Sequence, residues 1–124
     1  MKKILMFLGS IGMASSLFFS PVGNVLAAEN YSEIDLVTAG LAYTGYVEGK
    51  HGYGRWTITS RGSEVSGILN EKCPGSLEGQ IGDRLKLDGA GSASTNVYLK
   101  GGCKYRVLLN AGDGGGKAFL RNTN

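Results

Sequence analysis

The chain has 124 residues, of which 13 are basic and 10 acidic, and 42% are hydrophobic. Its formal charge of +3 rests partly on Lys2 and Lys3, and the remaining Lys and Arg are scattered singly between Asp and Glu. That distribution favours an ordinary solvated surface over the concentrated positive face expected of a nucleic-acid binder or a cationic membrane-active peptide.

In chain order, Lys2 and Lys3 precede an almost uncharged apolar run from Ile4 to Phe19. Pro21 and Gly23 break that run before Val25-Leu26-Ala27, where Val25 and Ala27 fit the −3 and −1 pockets of a signal peptidase. The run is shorter than the roughly 20 apolar residues that span a bilayer. The pattern predicts a leader over 1–27, cleavage after Ala27, and a single secreted β domain over 28–124. The short basic start points to a bacterial source. With neither a lipoprotein cysteine after the leader nor an apolar tail at the end, a released product is expected.

After residue 27 the chain holds one proline, Pro74, and all but three of the 21 glycines. No segment carries a sustained 3.6-residue apolar period, and short β-branched and aromatic runs recur between glycine turns. An opening strand is expected within Ile34 to Val47, although Leu36-Val37 and Leu41-Ala42 also suit a helical turn. Arg55 to Thr59 alternates, with Trp56 and Ile58 on the inner face. Ser60-Arg61-Gly62-Ser63 then reads as a hairpin turn into Glu64 to Leu69. Shorter strands are expected at Leu77 to Ile81, Leu85 to Leu87 and Asn96 to Leu99. A second hairpin joins Tyr105 to Leu109 and Lys117 to Arg121 through the flexible loop Ala111 to Gly116. The whole describes an all-β fold, a small antiparallel β-sandwich or small barrel.

Cys73 and Cys103 are the only cysteines. In an exported chain they predict one disulfide, contributing about 3–4 kcal/mol by the chain-entropy model. A metal pair or a reactive thiol is the rival reading; His51, the only histidine, is the one nitrogen ligand to hand, and Cys-x-x-Cys spacing is missing.

The stretch Thr95-Asn96-Val97-Tyr98-Leu99-Lys100-Gly101-Gly102, then Cys103 to Val107, then Gly114 to Leu120, resembles the closing strands of pre-peptidase C-terminal type bacterial β-sandwich domains. The cysteine pair and the short N-terminal half depart from that pattern. The resemblance implies a sandwich of the accessory-module kind and brings no catalytic residue with it.

Gly116-Lys117 ends a glycine-rich loop, but a phosphate-cradling loop requires Gly at Ala111, Ser or Thr at Ala118, and a following helix. Asp83, Asp88 and Asp113 read as turn residues, too dispersed for a calcium site. No cofactor and no metal are expected. The best functional candidates are Tyr46, His51, Tyr53 and Arg55, two aromatic faces, an imidazole and a guanidinium within one segment. Glycines at 45, 49, 52 and 54 would let its backbone approach a ligand closely. This mixture suits stacking on sugar rings or a protein hot spot. The reading is a secreted, non-catalytic binding module for an extracellular or envelope glycan or protein, with neither nucleic acid nor a stable membrane anchor as partner. The alternative is an antimicrobial or toxin-like protein acting on competing cells, with a small hydrolase or nuclease third.

Overall fold

The computed structural model describes residues 23–27 and 30–123, and every regular element among them is a β-strand. In chain order these are β1 (Gly23–Ala27), β2 (Tyr31–Leu36), β3 (Gly40–Tyr43), β4 (Val47–Glu48), β5 (Gly52–Ser60), β6 (Val65–Lys72), β7 (Gly79–Leu87), β8 (Gly91–Leu99), β9 (Lys104–Ala111) and β10 (Gly116–Arg121). They form two antiparallel sheets. Sheet I has the order β1-β2-β10-β5-β8; sheet II has β3-β9-β6-β7, with β4 also pairing β9. The fold is a β-sandwich. Residues 1–22 of the expected leader lie outside the described residues; Gly23–Ala27 forms the edge strand beside β2.

Alternation builds the core. Ile34 and Leu36 of β2, Trp56 and Ile58 of β5, and Ala118 and Leu120 of β10 point inward from sheet I. Val65 and Leu69 of β6 and Tyr105, Val107 and Leu109 of β9 meet them from sheet II. Trp56, as its phase with Ile58 requires, is only 2% exposed. The N-terminal candidate segment contains the end of β2, all of β3 and the start of β4, linked by residues 37–39 and 44–46, and no helical turn.

Both expected hairpins are corrected. β5 pairs with β8 and β10, whereas β6 pairs with β7 and β9, so the turn at 60–63 carries the chain from one sheet to the other. The glycine loop after β9 does the same, because β9 lies in sheet II and β10 in sheet I. A strand–turn–strand sequence alternates identically in a hairpin and in an inter-sheet crossover; the long-range ladders decide between them. The glycine loop is pinned. Gly112 N–H donates to Glu64 O at 2.8 Å, and Gly115 N–H donates to Gly112 O at 3.0 Å. Ser63 Oγ also donates to Asp113 O, tying the two crossovers together. Gly115 has φ +76°, and a Cβ there would stand 1.8 Å from Leu36 O, so no other residue fits.

The segments expected as separate strands at Leu77 to Ile81 and Leu85 to Leu87 merge into the single strand β7, which begins at Gly79 and leaves Leu77 and Glu78 outside it. Its register against β6 jumps from Gly67↔Leu85 to Leu69↔Ile81. Asp83, expected as a turn residue, lies instead in a bulge of Gly82-Asp83-Arg84 inside a continuous strand. Cys73 and Cys103 are bonded, with Cα atoms 4.2 Å apart, just beyond the Lys72↔Lys104 end of the β6–β9 ladder. Glu71 lies close to both sulfurs, but sulfurs bonded to each other cannot serve as thiolate ligands, so the metal and free-thiol readings fall.

Candidate functional site

The sandwich separates the four candidate residues. Tyr53 and Arg55 alternate outward on β5, on the outer face of sheet I. Tyr46, in the link between β3 and β4, lies instead against the outer face of sheet II. His51 stands at the end of the β5–β8 ladder with φ +56°, and its Nδ1 accepts a hydrogen bond from Gly101 N–H at 3.3 Å. The glycines are also reassigned. A Cβ at Gly54 would meet Arg121 O at 2.3 Å, and one at Gly49 would meet Lys100 O at 2.1 Å. Those two glycines serve the protein's own close packing, not the approach of a ligand.

Around Tyr53 and Arg55 the register assembles a larger surface. Tyr53 stands opposite Tyr98, with ring centroids 5.5 Å apart and planes at 78°, so one ring presents its edge to the other. Tyr53 is 60% exposed and Tyr98 45%. The next outward row crosses the sheet as Tyr31, Arg121, Arg55 and Asn96, and Arg55 Nη1 donates to Asn96 Oδ1 at 2.9 Å. The row after it is Glu33, Phe119, Thr57 and Ser94, with the Thr57 and Ser94 hydroxyls 2.7 Å apart. A last row holds Asp35, Lys117, Thr59 and Ser92, with the Thr59 and Ser92 hydroxyls 3.2 Å apart. Tyr31 and Phe119 form a second aromatic pair, centroids 5.5 Å apart. Outward side chains thus stand at about 7 Å intervals along each strand and about 5 Å between strands, a flat grid of rings, hydroxyls and cations. Sequence reading missed Tyr98, Asn96 and Arg121, which only the β5 ladders bring beside Tyr53 and Arg55. The outward alternation of Asn96 and Tyr98 within a strand was the one available signal.

The outer face of sheet II holds a different arrangement. Arg106 of β9 lies between Tyr43 and Tyr46, its guanidinium carbon 3.6 Å and 4.5 Å from their ring centroids. Glu78 receives both Nε (2.8 Å) and Nη2 (3.1 Å) of Arg106, Asn70 Nδ2 (3.2 Å) and the Tyr46 hydroxyl (2.5 Å). The Arg106 hydrogen bonds hold the Glu78 carboxyl below its ordinary value, and Glu78 in turn raises Arg106 and Tyr46. Farther along this sheet an open hollow of about 280 Å³ is lined by Glu64, Ser66, Arg84, Lys86 and Asn110. Its Lys86 is ion-paired with Glu64 at 3.2 Å. Beneath the sheet, Tyr105 is pushed up to about 12 by burial and by its hydrogen bond to Glu71.

No helix among the described residues is long and apolar enough to cross a membrane. No protein-family model and no curated protein matches the sequence. Solved structures do match over most of the chain. The crystal structure of PirA is 8% identical, covers 77% of this chain and 95% of its own, and gives a TM-score of 0.51. A family 6 carbohydrate-binding module is 16% identical over 85% of each chain, with a TM-score of 0.46. TmCBM61, solved with β-1,4-galactotriose, is 15% identical over 83% of this chain and 80% of its own, with a TM-score of 0.43. At such identities the likeness is one of architecture, and the chain is a disulfide-linked β-sandwich similar in fold to PirA.

Proposed function

We propose that this protein is an extracellular, non-catalytic binding module whose glycan site is the outer face of sheet I. The observation that carries this reading is the exposed Tyr53–Tyr98 pair beside Arg55–Asn96 and the Thr57–Ser94 hydroxyls. A ring face covers the C–H side of a pyranose, while the neighbouring amide, guanidinium and hydroxyl groups exchange hydrogen bonds with the sugar hydroxyls. Because the outward groups are fixed by strand register, they are pre-organised and lose little freedom on binding. Every residue of the grid lies on β2, β10, β5 or β8, so export with cleavage after Ala27 would remove β1 and leave the grid whole.

Affinity electrophoresis through a panel of envelope and plant polysaccharides tests this. At least one polymer should retard the protein, and Tyr53→Ala with Tyr98→Ala should weaken that retardation at least tenfold while the Trp56 emission stays native. Unchanged retardation by the double variant would remove the site from this face.

A further inference from the structure

The charges on the same face name the chemistry of the ligand. Arg55 and Arg121 stand directly opposite each other in the β5–β10 register, and like charges so placed repel. A pairing that costs stability without a compensating partner marks a surface shaped by something outside the chain. No carboxylate relieves the pair: among the described residues the ion pairs involve Arg61, Lys86, Lys100 and Arg106, and neither Arg55 nor Arg121. Arg55 donates only to the neutral Asn96, and the Arg121 Nε–H is out of contact with water and has no acceptor. Lys117 extends the positive strip along β10, with Phe119 between it and Arg121. Asp35, opposite Lys117 in register, turns instead to Arg61 at 2.5 Å. Glu33 is the one carboxylate of the grid without an ion pair. The grid is therefore net positive at its centre, flanked by Tyr31, Phe119, Tyr53 and Tyr98.

Resting on the glycan reading above, we infer that the ligand is an anionic polysaccharide, whose carboxylate or sulfate groups seat between Arg55 and Arg121 while its rings lie against the flanking aromatics. Two guanidinium forks side by side match the oxygens of a carboxylate or sulfate, and an anion between them relieves their repulsion.

Matched polymer pairs test this: polygalacturonate against its fully methyl-esterified form, and dextran sulfate against dextran, with polyglutamate as an anion lacking sugar. The protein should bind the charged member of at least one pair at least tenfold more tightly than the neutral member and than polyglutamate. The preference should fade with salt. Arg55→Gln with Arg121→Gln should abolish it, with Trp56 emission unchanged. Equal binding of charged and neutral members that is lost in Tyr53→Ala with Tyr98→Ala would overturn the inference and leave the glycan reading standing. Equal binding of polyglutamate, or a preference that survives in the arginine double variant, would overturn it too. Binding to neither pair overturns it as well, whereas the glycan reading is decided separately by the broader panel.

Discussion

The two outer faces of the sandwich are built from the same residue types, arginine and tyrosine, to opposite ends. On sheet II, Arg106 lies between Tyr43 and Tyr46 and donates two hydrogen bonds to Glu78, so its charge is paired within the protein. On sheet I, Arg55 and Arg121 face each other with no carboxylate ion-paired to either among the described residues, and Tyr53 and Tyr98 lie open. Arginine beside an aromatic ring is therefore no sign of a site by itself. Whether a carboxylate already occupies the guanidinium decides between a structural clamp and a guanidinium left free to bind.

The sharpest way to break the comparison is through the core that both faces share. Trp56→Ala should cost about 3–5 kcal/mol, because the large buried ring leaves a cavity between the sheets. Chemical denaturation measures this, and in the parent Trp56 should be blue-shifted and poorly quenched by iodide. Free quenching would reverse the β5 register and with it the assignment of Arg55 and Tyr53 to the outside.

Cys103→Ser should cost about 3 kcal/mol, and its effect should stay on the sheet II side, where the bridge joins the ends of β6 and β9. Glycan retention by the folded fraction should be unchanged. In the parent, alkylation without reductant should label neither cysteine.

Glu78→Gln dismantles the clamp and should cost about 1–2 kcal/mol, a figure reduced by partial exposure of the pair. The pH dependence identifies the cause. Glu78 titrates below its ordinary value of 4.5 in the fold, so its stabilisation is present above that pH and is lost as pH falls through the lowered folded value. The parent should therefore lose stability below pH 4.5 more steeply than the variant, in urea titrations at a series of pH values. Tyr105 works in the other direction. Its folded value near 12 exceeds the ordinary 10.0, so its contribution is complete below pH 10 and is lost as pH rises toward 12. Absorbance at alkaline pH should show two late-ionising tyrosines, Tyr105 and Tyr46.

The smallest effect on stability is expected on the outer face of sheet I. Tyr53→Ala or Arg55→Ala should change stability by less than about 0.5 kcal/mol while weakening glycan retention. A large loss of stability would mean that this face, too, is a structural clamp.

The amino-acid sequence by itself determined the strand alternation, the inward phase of Trp56 and Ile58, the Tyr105-Val107-Leu109 face and the single bridge available to two cysteines. These features are local or exhaustive: alternation repeats every second residue, and two cysteines allow one pairing. Only the tertiary structure decided which strands are neighbours. The turns at 60–63 and 111–116 read as hairpins because reversal and crossover share one local pattern, and ladders closed from distant parts of the chain made them crossovers. The same ladders sent Tyr46 to one face and Tyr53 to the other, although seven positions separate them. They also set Arg121 and Tyr98 beside Arg55 and Tyr53. A surface on one sheet face is composed across strands, perpendicular to the chain, so its members are fixed by register and not by proximity in sequence.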